Sequence, residues 1–184
     1  PQSDRSYREA VATFRRMSYR EAFLLYAGLD PFNEPVSGLR DRALAGVVPM
    51  LELGRREKDR DAWLDLFMSH KVGPQLGIEA PVFLHDFPAS QAALARIRAG
   101  DPPVAERFEL FWQGIELANG FHELSNAGEQ RRRFEDDQAW RESQRKIVPP
   151  LDQNLVDALT AGLPDCAGVA LGLDRVLILK LGLP

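Results

Sequence analysis

Four carboxylates, Glu106, Glu109, Glu116 and Glu123, lie within ERFELFWQGIELANGFHELSN, among aromatic and β-branched residues that favour strand over helix. Gln113-Gly114 separates two apolar runs and suits a two-residue hairpin turn. Such a turn sets Trp112 opposite Ile115, Phe111 opposite Glu116 and Glu109 opposite Ala118. Alternation then puts Glu109 and Glu116 on one face as diagonal cross-strand neighbours. Two like charges that close repel unless a cation or a substrate sits between them. The alternative is a pair of charges decorating a solvated face.

A second chemical feature closes the chain. CAGVALGLDRVLILKLG predicts an apolar strand with small residues at Gly168, Ala170 and Gly172, turning directly into a helix that bears Asp174 and Arg175 at its start. Small residues let a ligand lie against strand backbone. A helix N-terminus with an arginine can take an anion through its free N–H groups, its dipole and the guanidinium fork. The alternative is a buried strand-to-helix turn in which Arg175 pairs with Asp174 or a neighbour.

The elements that must position these residues follow the same logic. Ser18 and Glu21 form an S-x-x-E capping box for a helix stopping at Gly28, with Pro31 beyond. Ser37 is a candidate cap for a helix over 38–53, with Gly46 and Pro49 against its middle. EKDRDAWLDLFMSHKVG reads as helix to Gly73, and Pro81 to His85 as a short strand. ASQAALARIRAGD reads as loop or short helix. Asn126 and Glu129 repeat the capping pattern before a charged helix, in which Arg131 to Arg133 are expected to pair with Glu135 to Asp137. A helix over 152–161 ends at Gly162.

Composition narrows the classes. A chain of 184 residues, 45% hydrophobic, supports one core, and a net charge of −4 argues against a general nucleic-acid or anionic-membrane binder. One cysteine, Cys166, excludes an internal disulfide framework and fits a reducing cytosol, so a cytoplasmic location is expected, with no membrane span and no signal-peptide pattern. Cys166 is expected to be small and buried; His122 reads as a structural hydrogen-bonder, and His70 and His85 have no partner pattern.

GVALGLDRVLIL resembles motif 3 of class II aminoacyl-tRNA synthetases, and RFELFWQGIELANGFHELSNAGEQRRRF resembles the stretch preceding it in the lysyl-tRNA synthetase branch. SYREAFLLYAGLDP fits the same order, so the likeness runs from Ser18 onward. HDFPASQAAL, GIELANGFHEL and GLPDCAGVALGLDR are more similar to the elongation factor P lysyltransferases, stand-alone paralogues of that branch. Ala170 stands where lysyl-tRNA synthetases have glycine, and Gly114-Ile115-Glu116 where they have Gly-Arg-Glu.

The resemblance implies an α+β fold, an antiparallel sheet flanked by helices. It implies ATP-dependent activation of lysine or β-lysine as an acyl-adenylate and its transfer to a lysine of elongation factor P, with tRNA-Lys charging as the alternative. By resemblance, Glu109 and Glu116 hold Mg²⁺ on the ATP phosphates and Arg175 clamps ATP. Asn119, Phe121 and Glu123 form the amino-acid pocket, Glu116 borders it, and Gly168, Ala170 and Gly172 line its floor. Strict alternation would turn Asn119, Phe121 and Glu123 away from Glu116, so a bulge is expected around Ala118 to Gly120. Motif 1, the family's homodimer element, and motif 2, which carries an α-phosphate arginine, do not occur in these residues. The expected organisation is a polar lead-in, 1–17, and the C-terminal part of a catalytic core, 18–184, inactive by itself. A non-catalytic binding module is the alternative of a different class.

Overall fold

The computed structural model describes residues 14–46 and 59–183. The N-terminal part of the expected lead-in and the second half of the expected 38–53 helix, with Pro49, lie outside them. The described chain runs β1 (Arg15–Ser18), α1 (Tyr19–Tyr26), α2 (Val36–Gly46), α3 (Arg60–Phe67), β2 (Val82–Pro88), β3 (Ile97–Arg98), β4 (Val104–Trp112), β5 (Ile115–His122), α4 (Ala127–Ser143), α5 (Gln153–Ala161), β6 (Ala167–Leu171) and α6 (Leu173–Leu181). The strands form one sheet in the order β1-β2-β4-β5-β6, with β3 also on β4. The expected antiparallel sheet is in fact mixed: β1 runs parallel to β2, and the remaining pairs are antiparallel.

Local chemistry sets most boundaries. The Ser18 hydroxyl accepts from the Glu21 N–H while the Glu21 carboxylate accepts from the Ser18 N–H, closing the capping box. Asp59 caps α3 through the Ala62 N–H at 3.2 Å. The expected helix to Gly73 is regular only to Phe67; it continues as a wide π turn over Met68–Val72 and a tight 3₁₀ turn over Gly73–Gln75. Strand β2 outruns the expected end at His85, because Asp86 takes a left-handed conformation (φ 59°) and its bulge lets pairing resume at Phe87. In α4, Arg133 bonds Glu129 and the carbonyls of Ala93 (2.9 Å) and Ala95 (2.8 Å), and Arg131 bonds Gln153 at 2.9 Å. Two of the three arginines therefore fasten the helix to its neighbours instead of pairing with Glu135 to Asp137.

The core lies on one face of β2 and β4. Val82, Leu84, Phe87, Ala105 and Phe111 pack there under Tyr19, Phe23, Leu39, Trp63, Leu64 and Phe67 of the first three helices. The opposite face carries a row of rings, Phe14 on Phe83 and Phe83 on Phe108, each pair with centroids 5.6 Å apart. Phe108 lies over Gly120 in β5, where an added Cβ would strike the ring and stand 2.9 Å from the Gly168 carbonyl oxygen of β6. Gly120→Ala should therefore push β6 off β5 and lower stability by about 1–3 kcal/mol, the usual cost of overpacking. A urea midpoint unchanged from the parent would show that the contact is slack.

Candidate functional site

The β4–β5 hairpin closes on Gln113 and Gly114, both at positive φ (51° and 75°), as the two-residue turn requires. Trp112 faces Ile115 and Phe111 faces Glu116, as expected; beyond them the register steps to Leu110 opposite Ala118, leaving Leu117 as an extra residue. Two expectations change. Glu109 lies opposite Asn119, not Ala118, and the bulge falls at Leu117, just before the Ala118 to Gly120 stretch. Gly120 is there for the close approach of Phe108, not for a bulge.

The extra residue restores a common face. Glu116 sits opposite Phe111, Asn119 opposite Glu109, and Phe121 opposite Arg107. Across the next ladder, Ala170 lies opposite Asn119 and Gly168 opposite Phe121. Alternation carries Glu123 to this face as well, and a side chain on Gly168 would collide with its carboxylate. The residues form a stripe roughly 20 Å long, from the strand rise. Glu116 and Arg175 stand at one end and Glu123 over Gly168 at the other. Gly172 and Arg175 do not join Glu123.

The end near Glu116 is fixed by the bulge itself. Gly172 donates its N–H to the Leu117 carbonyl at 2.8 Å, and Arg175 donates to the Glu116 carbonyl at 2.7 Å. An Arg175 nitrogen also stands 3.3 Å from the Glu116 carboxylate. Of the two readings of Arg175, its partner here is a neighbour, Glu116, not Asp174. Gly172 caps α6 without any side-chain bond, so the first N–H groups of that helix open beside an exposed guanidinium.

Glu109 marks where the core meets the stripe. It is only 7% exposed, and burial pushes its carboxyl upward; the Arg107 charge opposes this, and Glu116 adds to it. Arg107 pairs with Glu109, donates to the Gln91 carbonyl at 3.0 Å and to the Asn119 side chain at 3.4 Å, and lies 4.4 Å over the Phe87 ring. Arg107 was not among the residues expected in the site. Its signal was there: it precedes Glu109 by two residues in a strand and so shares its face. Beneath these two residues lies a cavity of about 450 Å³ that Tyr19, Asp65, Phe87 and Gln91 also line.

These parts suit a ligand with two unlike ends. Glu123 can take an ammonium group, and Asn119 and Phe121 can flank its chain. Arg175 and the α6 N-terminus can take an anion. Glu109 and Glu116 offer hard oxygen donors of the kind a divalent cation shares with phosphates, and their mutual repulsion fits a cation between them. Among the described residues no group of three or more His, Cys, Asp or Glu side chains forms a metal cluster, so such a cation would need ligands from its substrate.

Comparison with known proteins gives the lineage. The chain is 49% identical over 166 residues to a Salmonella typhi protein named elongation factor P–(R)-beta-lysine ligase, covering 90% of this chain and 50% of that one. A Vibrio cholerae serotype O1 protein of the same name is 48% identical over 167 residues, covering 91% and 51%. The chain thus spans about half the length of the curated relatives it matches. No helix among the described residues is long and apolar enough to cross a membrane. The family model for class II tRNA synthetases (D, K and N) matches residues 2–184, and the chain belongs to that family.

Proposed function

We propose that this chain supplies part of the catalytic core of a cytoplasmic ligase that activates lysine or β-lysine with ATP and passes it to a lysine of elongation factor P. The observation carrying the reading is the single face shared by Glu109, Glu116, Asn119, Phe121, Glu123, Gly168 and Ala170, produced by the extra residue at Leu117. The names of the two relatives, at nearly half identity, support the choice of substrates.

In this reading the amino acid lies along β5 and β6, its side-chain ammonium on Glu123 and its stem against Phe121. Asn119 and Ala170 flank it, and the glycines at 168 and 172 keep the floor low. The carboxylate then points toward Glu116 and Arg175, where ATP binds with its α-phosphate in line for attack. A carboxylate oxygen displaces pyrophosphate to give the acyl-adenylate, and the acceptor amine displaces AMP. Glu109 and Glu116 would hold Mg²⁺, which would neutralise charge on the phosphates. Arg107 keeps Glu109 and Asn119 in place, and Arg175 holds the nucleotide. The site works by positioning and charge stabilisation, without a covalent protein nucleophile.

Two measurements test this in a polypeptide of the relatives' full length carrying this sequence. Glu109→Gln and Glu116→Gln should each weaken Mg²⁺-dependent ATP binding and lower ATP–pyrophosphate exchange by about 100- to 1,000-fold, the usual cost of losing one preorganised charge-stabilising group. Parent-like ATP affinity in both variants would reduce the two glutamates to surface charge. Ala170→Gly should narrow any preference for β-lysine over α-lysine, because one methyl group in a packed pocket is worth about 1–3 kcal/mol of discrimination. A protein that charges tRNA and leaves elongation factor P unmodified would move the assignment to lysyl-tRNA synthetase.

A further inference from the structure

On the sheet face opposite the stripe, His122 is held at both ring nitrogens. Nδ1 lies 2.6 Å from the Glu106 carboxylate of β4, and Nε2 lies 2.7 Å from the Asp165 carboxylate in the loop before β6. Arg96 stands 2.8 Å from the same Asp165 oxygen and 3.0 Å from Nε2. Arg98 completes the cluster, 3.6 Å from Glu106 and 2.8 Å from Asp86. Backbone bonds tie the same segments together: Arg96 N–H to the His122 carbonyl at 2.9 Å, and Glu123 N–H to the Cys166 carbonyl at 3.0 Å.

We infer that His122 is a positioning residue, an imidazolium clasp between Glu106 and Asp165 that fixes where β6 begins and so sets Gly168 and Ala170 against Glu123 and Asn119 on the other face. A neutral imidazole has one N–H and can serve only one of the two carboxylates; the other would face a lone pair at hydrogen-bond distance. The cation donates to both. Arg96 favours the competing neutral arrangement, in which Nε2 accepts from the guanidinium and Asp165 is left to Arg96 alone. The two carboxylates outweigh it, being closer and both anionic.

The clasp matters because β6 has few other holds. It is an edge strand paired only with β5 among the described residues, and Val169 and Leu171 are exposed. Asp165 is three residues before Gly168, the glycine on which the Glu123 carboxylate rests.

The titration has a definite sign. The hydrogen bond to Asp165 does most to raise the His122 value; burial opposes it, and the hydrogen bond to Glu106 adds to the rise. Its contribution is complete below the ordinary imidazole value near 6.5 and is lost as pH rises through the raised one. His122 and then Arg96 hold Asp165 below its ordinary value, so its contribution is complete above that value and fails only as pH falls through the lowered one. The clasp is whole between these limits.

The kinetic half of the inference rests on the amino-acid pocket proposed above; the structural half does not. In the same full-length polypeptide, amide exchange over 167–171 and the KM for β-lysine in pyrophosphate exchange are followed against pH. The parent KM should climb about two- to fivefold as His122 deprotonates, the scale of a partly exposed ion pair. His122→Gln should hold the higher KM at every pH, with faster exchange confined to 167–171. Asp165→Asn, on an exposed side chain, should do the same, and the double variant should be no worse than either single one. Parent-like exchange and KM profile in both single variants, or fully additive effects, would overturn the clasp. If the parent shows no β-lysine-dependent exchange of pyrophosphate, the functional reading fails, and amide exchange alone decides the clasp.

Discussion

One extra residue in β5 determines the rest of the site. Without the bulge at Leu117, the alternation of a strand would send Glu116 to one face and Asn119, Phe121 and Glu123 to the other. With it, all four share a face with Glu109 across the hairpin. Two carbonyls at the bulge also hold the start of α6. Leu117 takes the N–H of Gly172 and Glu116 takes the Arg175 guanidinium, so the irregularity that gathers the carboxylates also anchors the β6-to-α6 turn.

The same sheet face does two jobs. Over β2 and β4 it is core, covered by the first three helices; over β5 and β6 it is polar and open. Glu109 lies on the border, which explains why a group proposed to handle a cation is so thoroughly buried. Burial alone would favour the protonated acid. Arg107 opposes that with a charge pair and is itself braced by the Phe87 ring and the Gln91 carbonyl. The two carboxylates proposed for the cation therefore each come with an arginine: Arg107 for Glu109 and Arg175 for Glu116. A bound cation and polyanion would exchange places with, or add to, these pairs without stranding a charge.

Local signals were legible in the sequence and long-range ones only partly so. The Ser18–Glu21 capping box, the Asn126 cap, the Gln113-Gly114 turn and the hairpin pairs nearest it depend on residues a few positions apart, and they could be read directly. The bulge could be inferred only because the pocket residues needed a common face, and its position was misjudged because Gly120 looked like its natural cause. The glycine answers instead to Phe108, a contact that strand alternation does not reveal. The parallel β1–β2 pair joins Arg15 to Val82, and such a pairing leaves no local mark. Asp165 was not read as a partner for His122, because 43 residues separate them in sequence. The irregular turn after Phe67 likewise lies within an apolar pattern that looks continuously helical.

The strand proposed to carry the pocket floor, β6, has no buried residue. Its position comes from backbone bonds to β5, the Gly172–Leu117 bond at one end and the Asp165 cluster at the other, with little support from buried side chains. Such a strand can change a residue at position 170 without disturbing a core, so the substrate preference proposed to rest on it would vary at small cost to stability. The corresponding weakness is that its register rests on a few polar contacts. A site assembled this way separates what it binds from what keeps it folded: the helices around Trp63 and Phe23 hold the fold, while the geometry around Glu123 and Gly168 is set by hydrogen bonds that titration or a single substitution can loosen.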